Sequence, residues 1–221
     1  MPDPHGDDTG YRITSQYYDA PDMACYWSKI NGEGRRKKIR TRYYGIPESI
    51  EALDSQTAYI EIKHRIRSCV FKERTKMAGN FARKLLANPS LLRELSSQPF
   101  ADQTSATLLS KIEKLSRQSQ LQAANIITYN RSAWLGTNNH RLRVTFDSNI
   151  ESFPPSQYLP KFGSGQSLLK KHLCVLEIKF NRVMPTWVKD CIVISNAQMQ
   201  RFSKYAHGLE ALGVVSDQTT D

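Results

Sequence analysis

The sequence predicts an α+β fold in which antiparallel β-strands form a tunnel-like barrel and helices pack outside it. Two patterns support this prediction. Several segments alternate apolar and charged residues, as strands with two different faces do; YIEIKHR at 59–65 is one example. Between about Lys76 and Gln122, apolar residues instead recur every three or four positions, the spacing of amphipathic helices. We therefore expect one α+β domain over residues 1–221.

The first part of the chain predicts mainly strands. A strand begins at Tyr11 with YRITSQYY and ends at the turn-forming DAPD. The segment INGEG, which follows CYWSKI, offers Gly32 and Gly34 for a hairpin turn. A long basic strand, RRKKIRTRYY, comes next, and YIEIKHR and CVFKERT form a further predicted hairpin.

The rest of the chain predicts helices followed by more strands. The segments ARKLL, SLLREL and ATLLSKIEKLSRQ indicate two or three helices, broken near Asn88-Pro89 and Pro99. Strands resume with NIITYNRSAW and HRLRVTFD, and a loop rich in proline, serine and glycine leads to LCVLEIKF. The tail from Asn196 to Leu212 is expected to form an amphipathic helix.

The composition favours a polyanionic partner. The 221-residue chain carries a formal net charge of +10, which suits nucleic acid, a phosphorylated metabolite, polyphosphate or an anionic membrane. Its four cysteines show no CxxC spacing, so we expect free thiols rather than disulfides or a zinc site. The N-terminus does not resemble a signal peptide, and no apolar run reaches the roughly 18–20 residues that span a bilayer. The expected location is the cytoplasm.

Side-chain parity places many basic residues on one face of the predicted sheet. Residues two apart on a strand share a face, and on several strands the opposite face is apolar. Like charges at neighbouring same-face positions repel, so we interpret their cluster as an anion site rather than an ordinary solvated face. The basic residues of this face include Arg36, Lys38, Arg40, Arg42, Lys63, Lys72, Arg74, Arg131, Arg143 and Lys179.

The same face carries acidic residues, which a nucleic-acid groove would have little use for. Glu61 and Glu177 each stand two positions before a lysine in a repeated Glu-Ile-Lys triplet. Phosphoryl transfer uses divalent cations, and hard cations take carboxylate ligands. We therefore expect Glu61 and Glu177 to hold a metal ion, with Asp147 as a weaker third candidate. His64 falls on the apolar face of its strand, where we expect a structural role.

A series of motifs covers nearly the whole chain in order. It begins with YRITSQYYDAPDMACYWSKINGEGRRKKIRTRYYG, continues through YIEIKHR, VFKERT, YNRSAW and RLRVTFD, and ends in VLEIKFNRVMPTWV and FSKYAHGLE. This series resembles the VTC domain, the polyphosphate polymerase branch of the triphosphate tunnel metalloenzymes in the CYTH-like superfamily. The resemblance implies an antiparallel tunnel with basic walls that binds triphosphate, Mn²⁺ or Mg²⁺, and a polyphosphate chain.

The resemblance also implies roles for single residues. The catalytic basic positions of the family match Arg40, Arg42, Lys63, Arg131, Arg143 and Lys204, the last on the terminal helix that closes the tunnel. Lys72 matches a phosphate-binding position, and parity adds Lys38, Arg74 and Lys179 as phosphate ligands. Glu177 matches the metal-binding glutamate, and Glu61 is a second metal ligand with less support.

The implied reaction moves the γ-phosphate of ATP to the end of a growing polyphosphate chain. Catalysis would rest on positioning and charge neutralisation, without a covalent nucleophile. The expected partners are ATP and inorganic polyphosphate, with no specific nucleic acid. One departure is that family members begin with an extra strand and helix before the YRITSQYYD region. We therefore expect a misassigned start, a truncated chain or a barrel that lacks one wall.

Two other functions stay open. Sister branches hydrolyse triphosphate, or a nucleoside or thiamine triphosphate, and usually carry an ExExK signature that this chain lacks. A non-catalytic module that binds polyphosphate or nucleic acid is the third reading. FGSGQS at 162–167 lacks the lysine and the setting of a P-loop, so we interpret it as a connection. The sequence leaves open the acceptor, the metal, the oligomeric state and association with a membrane protein that this chain does not encode.

Overall fold

A computed structural model describes residues 1–2, 9–45, 54–97, 102–139, 141–155 and 165–215. Within these ranges the strands are β1 (Tyr11–Asp19), β2 (Arg35–Tyr44), β3 (Thr57–Ile66), β4 (Cys69–Ala78), β5 (Gln122–Leu135), β6 (Arg143–Phe153), β7 (Gln166–Ser167) and β8 (Val175–Lys179). The helices are α1 (Ala24–Ile30), α2 (Gly79–Ala87), α3 (Gln103–Ser119), α4 (Thr186–Ile194) and α5 (Lys204–Ala211), with a 3-10 segment at Pro89–Ser97.

The strands form one antiparallel sheet in the order β4-β3-β2-β1-β5-β6-β7, and β8 also pairs with β6. The predicted α+β class and antiparallel sheet are confirmed. Among the described strands, β4 stands at one edge and β7 and β8 stand at the other. Strand pairing therefore does not close the sheet, and a closed tunnel stays a prediction.

Helices cover part of the outer face of the sheet. Ile39 of β2 and Ile60 and Ile62 of β3 are buried against leucines and isoleucines of α2, the 3-10 segment and α3. Burying such a side chain contributes about 1.5–3 kcal/mol, so this layer fixes β2 and β3 firmly. The expected helical cover does not extend over the whole outer face, because Phe146 of β6 and the neighbouring Phe180 remain 40 % exposed.

Helix α5 lies on the opposite, inner face of the sheet. Its Tyr205, Ala206 and Leu209 are buried in a cluster that includes Ile13, Ile127 and Tyr129 of β1 and β5. Gly208 permits the close approach: a Cβ there would lie 2.5 Å from Asn125 Nδ2 and 2.5 Å from Ile127 Cδ1. Helix α5 therefore packs closely against β5 on the inner face of the sheet.

Two predicted segments differ from the structure. CYWSKI lies in helix α1, so INGEG joins a helix to β2 instead of closing a hairpin, although Gly32 does take a positive φ of +69°. The cause is Asp19 at the end of β1, whose buried carboxylate accepts hydrogen bonds from the backbone N–H groups of Cys25 and Tyr26. The tail is helical only from Lys204, where Ser203 caps α5.

Other predictions agree with the structure. The hairpin of β3 and β4 and the helix break near Asn88-Pro89 are present, whereas the break predicted near Pro99 lies outside the described residues. His64 is buried on the outer face, stacked on Phe71 with ring centroids 4.5 Å apart. All four cysteines are free thiols. Of FGSGQS, Gln166 and Ser167 form β7, whereas 162–164 lie outside the described residues. In the described ranges, no helix is long and apolar enough to cross a membrane.

Candidate active site on the inner face

The strand register gathers basic residues into rows across the inner face. Two rows cross β2, β3 and β4: Lys38–Lys63–Lys72 and Arg40–Glu61–Arg74. Opposite residues on neighbouring strands have Cβ atoms about 4.5–5.5 Å apart, and like charges at that spacing are destabilising. Burial lowers the pKa of both Lys63 and Lys72, and the nearby Arg40 lowers them further. The row of three lysines thus concentrates positive charge, and Glu61 compensates it only at Lys72, whose Nζ lies 3.4 Å from the carboxylate.

Arg40 is held from two sides. Its Nε donates to Glu61 Oε2 at 2.7 Å, and its Nη1 donates to the Tyr17 hydroxyl at 3.0 Å. Tyr17 is almost fully buried on β1, directly opposite Arg40. Burial raises the pKa of the Tyr17 phenol, but the charges of Arg40 and Arg42 outweigh burial and bring it down to about 8. The guanidinium of Arg40 therefore has a fixed orientation toward the inner face.

Glu61 is a buried counter-charge. Its side chain is 1 % exposed, and its second oxygen, Oε1, lies 3.4 Å from Lys72 Nζ. Burial alone would raise its pKa, yet the charges of Arg40, Arg42 and Lys72 hold the pKa at about 2. Both carboxylate oxygens already have cationic partners, so the predicted metal-binding role of Glu61 has no added support from these contacts.

Arg42 lies deeper in the same face. It is 6 % exposed, and it donates to Ser15 Oγ at 3.2 Å and to the Tyr129 hydroxyl at 3.1 Å. Because Tyr129 belongs to β5, this contact spans β1 and ties β2 to β5. Arg42 contributes positive charge from a position that solvent scarcely reaches.

Asp147 connects the sheet to the terminal helix. Its fully buried carboxylate accepts two hydrogen bonds from Arg131, at 2.7 and 2.8 Å, and lies 2.6 Å from Lys204 Nζ. Burial opposes ionisation, but Arg131 and Lys204 lower the pKa of Asp147. Asp147 therefore pairs with two cations. The weaker expectation that it binds a metal ion gains no support, because both of its carboxylate oxygens already have cationic partners.

The N-terminus of α5 also contacts β2. Lys38 Nζ donates to Ser203 Oγ at 2.9 Å and lies 5.1 Å from the centre of the Tyr205 ring. Burial lowers the pKa of Lys38 to about 8, and the neighbouring Lys63 contributes to the shift. Through Ser203 and Lys204, the start of α5 links β2 on one side of the inner face to β6 on the other.

Strand β8 supplies the most accessible charges. Glu177 and Lys179 are 48 % and 61 % exposed and lie 3.5 Å apart, and Arg143 stands opposite Lys179. Burial has the largest effect on the pKa of Lys63 and lowers it. Among the smaller effects, the charge of Glu177 raises this pKa and the charge of Lys179 lowers it. Four strands separate β3 from β8 in the sheet order. Strand order alone therefore does not bring β8 close to β3, and a curled sheet in which they face each other stays a prediction.

The residues around Glu177 fit a divalent cation. Mg²⁺ binds through one or two carboxylates together with water and substrate phosphates, so it does not need a full protein cage. Glu177 is the exposed carboxylate of the inner face, and Thr145 stands directly opposite it. The Thr145 hydroxyl is buried and lacks a hydrogen-bond partner in the described structure. In the same described ranges, no group of three or more His, Cys, Asp or Glu side chains gathers as a metal site.

All the sequence-predicted residues share this face, but their surroundings differ. Arg40, Arg42, Glu61, Arg131 and Lys204 are engaged with partners, whereas Glu177 and Lys179 are open to solvent. Arg74 lies 5.0 Å from the centre of the Tyr59 ring. The sequence reasoning missed Tyr17, Ser203 and Thr145 as parts of the site. Parity alone would have placed Tyr17 and Thr145 on the face; only the register shows what they contact.

Comparison with known proteins gives one family match. The family model of the VTC domain matches residues 1–213. No curated protein sequence matches the chain.

Several solved structures have a similar chain trace, and two of them are described here. One, from Bacillus halodurans, is described as a candidate adenylate cyclase; it is 14 % identical, with a TM-score of 0.48, over 90 % of this chain and 82 % of that one. The other is a cyclase-like protein from Hippeastrum described as having a dominant triphosphatase activity. It is 13 % identical, with a TM-score of 0.45, over 84 % of this chain and 72 % of that one. At such low similarity, neither carries chemistry over to this chain.

Proposed function

Because the chain belongs to the VTC domain family, we propose that it transfers the γ-phosphate of ATP to the growing end of an inorganic polyphosphate chain. One observation carries the proposal: the lysine row Lys38–Lys63–Lys72 crosses the inner face with no acid of its own in the row. Like charges at that spacing repel, and a bound polyanion would relieve the repulsion. A chain of phosphates offers regularly spaced charge of the right sign.

The engaged arginines would position the reacting phosphates. Arg40, fixed by Glu61 and Tyr17, and Arg131, fixed by Asp147, present guanidinium groups whose orientation is already set. Phosphoryl transfer passes through a loose transition state, so orientation and charge stabilisation supply most of the catalysis. Preorganised arginines do not have to reorient during the reaction. Lys72, Arg74, Arg143 and Lys179 would hold neighbouring phosphates of the donor and the chain.

A divalent cation, Mn²⁺ or Mg²⁺, would be held by Glu177. When bound, it would neutralise charge on the phosphate oxygens that react. Glu177 is suited to this role because its side chain is 48 % exposed and, among the described residues, its ion pair is with Lys179 at 3.5 Å. Glu61, the second candidate from the sequence, would instead keep Arg40 and Lys72 in place.

We further propose that the curled sheet and α5 together enclose the phosphates as a tunnel. The electrostatic effect of Glu177 on Lys63 supports the curl. The contacts of Ser203 with Lys38 and of Lys204 with Asp147 support a role for α5 as one wall. Lys204 would then exchange its carboxylate partner for a phosphate oxygen when substrate binds.

The decisive experiment incubates the purified protein with ATP and Mn²⁺ and separates the products by gel electrophoresis. We expect long phosphate chains, and we expect Glu177→Ala to abolish them while circular dichroism shows an intact fold. Asp190→Ala, which removes an exposed carboxylate on α4, is the matched control and should keep the activity.

Other outcomes would replace the proposal. Free phosphate without chains would make the protein a triphosphate hydrolase. Binding of polyphosphate that weakens steeply with salt, without either product, would make it a binding module. Product formation by Glu177→Ala at the wild-type rate would contradict the assignment of the metal to that carboxylate.

A further inference from the structure

Thr145 is an unexplained polar residue of the inner face. It lies in β6 and is 3 % exposed, and it stands directly opposite Glu177 of β8. Its Oγ1 is buried and makes no hydrogen bond within the part of the chain that the structure describes. Buried hydroxyl groups in proteins nearly always have a partner. The hydroxyl of Thr145 therefore needs a partner that the described part of the chain does not supply.

The neighbouring charged groups do not satisfy this hydroxyl. Asp147, two residues along the same strand, is occupied by Arg131 and Lys204. Lys179 is paired with Glu177 at 3.5 Å. For packing alone, valine would fill the same volume in a strand without the cost of burying a hydroxyl. The hydroxyl is thus best explained by a ligand that arrives between β6 and β8.

We propose that Thr145 Oγ1 and the Glu177 carboxylate together bind the divalent cation of this site. Directly paired residues have Cβ atoms close enough for both side chains to reach one ion. A hydroxyl is a hard, neutral oxygen donor of the kind that Mg²⁺ accepts from serine and threonine in other phosphate-binding sites. One carboxylate and one hydroxyl leave the remaining positions to phosphate oxygens and water. The inference rests on the proposed metal-dependent function and assigns it a second protein ligand.

The test measures Mn²⁺ binding directly, from the electron paramagnetic resonance signal of free Mn²⁺ in titrations of the full chain. Thr145→Val removes only the hydroxyl at nearly constant volume, and Thr145→Ser keeps it. We expect Thr145→Val to weaken Mn²⁺ binding about tenfold or more. Thr145→Ser should bind Mn²⁺ nearly as the wild type does, and Glu177→Gln should lose most of the binding.

Thermal unfolding provides the second readout. Because the hydroxyl has no partner in the described fold, Thr145→Val should unfold at the same temperature as the wild type or higher. A variant that is destabilised without added metal would show that the hydroxyl has a structural partner, and that result would overturn the inference. A structural role predicts lower stability, whereas a metal-binding role predicts weaker Mn²⁺ binding with stability kept.

Titrations with inorganic triphosphate in the absence of metal test the remaining alternative, in which the Thr145 hydroxyl binds phosphate instead of the metal ion. If Thr145→Val weakens metal-free triphosphate binding and leaves the Mn²⁺ affinity unchanged, the hydroxyl contacts phosphate and the inference fails. If Mn²⁺ binding depends on Thr145 and Glu177 but no polyphosphate is made, the metal assignment stands and the proposed function fails. If polyphosphate forms and Thr145→Val binds Mn²⁺ normally, the function stands and the inference fails.

Discussion

The two Glu-Ile-Lys triplets of this chain, at 61–63 and 177–179, occupy opposite environments on the same face. Glu61 is 1 % exposed and lies within 3.4 Å of both Arg40 and Lys72. Glu177 is 48 % exposed, and its ion pair among the described residues is with Lys179 at 3.5 Å. The same three letters therefore give a buried counter-charge in one strand and an accessible carboxylate in the other.

The position of each strand in the sheet explains the difference. β3 lies between β2 and β4, so Glu61 is buried between Arg40 of one neighbouring strand and Lys72 of the other. β8 pairs with β6 alone among the described strands, and its inner side chains reach solvent. A local motif thus acquires its chemistry from sheet topology, and the two copies can be tested against each other.

The largest difference should appear in stability. Removing one partner of a buried ion pair costs about 3–5 kcal/mol, because the other charge stays buried without compensation. We expect Glu61→Gln to lose that much free energy of unfolding, measured by urea denaturation at pH 7. Glu177→Gln should change it by less than about 0.5 kcal/mol, as exposed substitutions do.

Acid titration checks the cause of that loss. The folded-state pKa of Glu61 is about 2, below its ordinary value of 4.5. Its contribution is therefore complete above pH 4.5 and disappears as the pH falls toward 2. The stability gap between wild type and Glu61→Gln should narrow over that range. A gap that is constant from pH 7 to pH 3 would mean that packing, and not charge, makes Glu61 important.

The second-largest difference should be in how much the lysine of each triplet contributes to the binding of triphosphate. Lys63 is flanked by Lys38 and Lys72, whereas Lys179 is 61 % exposed. We expect Lys63→Met to weaken the binding of inorganic triphosphate about tenfold, and Lys179→Met to weaken it less than about threefold. Calorimetry at low salt measures both. Equal losses would show that the row around Lys63 has no special affinity for phosphate.

The smallest expected effect is the pH dependence of triphosphate binding beside the first triplet, where Lys38 lies opposite Lys63. Lys38, opposite Lys63, has a pKa of about 8 in the free protein because it is buried. A bound anion favours its charged form, so its pKa rises on binding and a proton is taken up. Triphosphate affinity should therefore fall above pH 8, by at most about tenfold per pH unit for each proton taken up.

A matched pair of variants separates the groups that titrate there. Tyr17, whose pKa is also about 8, works in the same direction because its ionised form opposes an anion. Lys38→Arg should remove the part of the pH dependence that is due to Lys38, because arginine keeps its charge throughout this pH range. Tyr17→Phe should remove the share due to Tyr17. A profile that neither variant alters would exclude both groups as the source of the pH dependence.

The sequence predicted which charged residues share the inner face, but not the contacts between them. Parity is a local property with a period of two, so it placed Arg40, Lys63 and Arg143 on one face without any knowledge of the fold. Strand register is not local. The contact between Arg40 and Tyr17, or between Arg131 and Asp147, depends on which strands pair and at which residue. The sequence alone left those pairs unspecified.

The misassigned elements have a similar cause. Helix α1 depends on the carboxylate of Asp19, which also accepts a hydrogen bond from the hydroxyl of Tyr205, 186 residues away. Asp19 is close to α1 in sequence, but its contact with Tyr205 is not local, so segment propensity alone did not show that its carboxylate is held where it can cap the helix. The tail prediction began too early because only Ser203 provides a capping side chain for α5.

Gly208 has a consequence for how mutations in this chain should be interpreted. It lies one helical turn after Lys204, where α5 touches Asn125 and Ile127 so closely that a methyl group would have to displace them. Any larger residue would push the helix away from the sheet and carry Lys204 with it. A genetic screen for loss of function would therefore recover substitutions of this glycine as well as substitutions of the charged residues, although glycine has no side chain that could contact a phosphate.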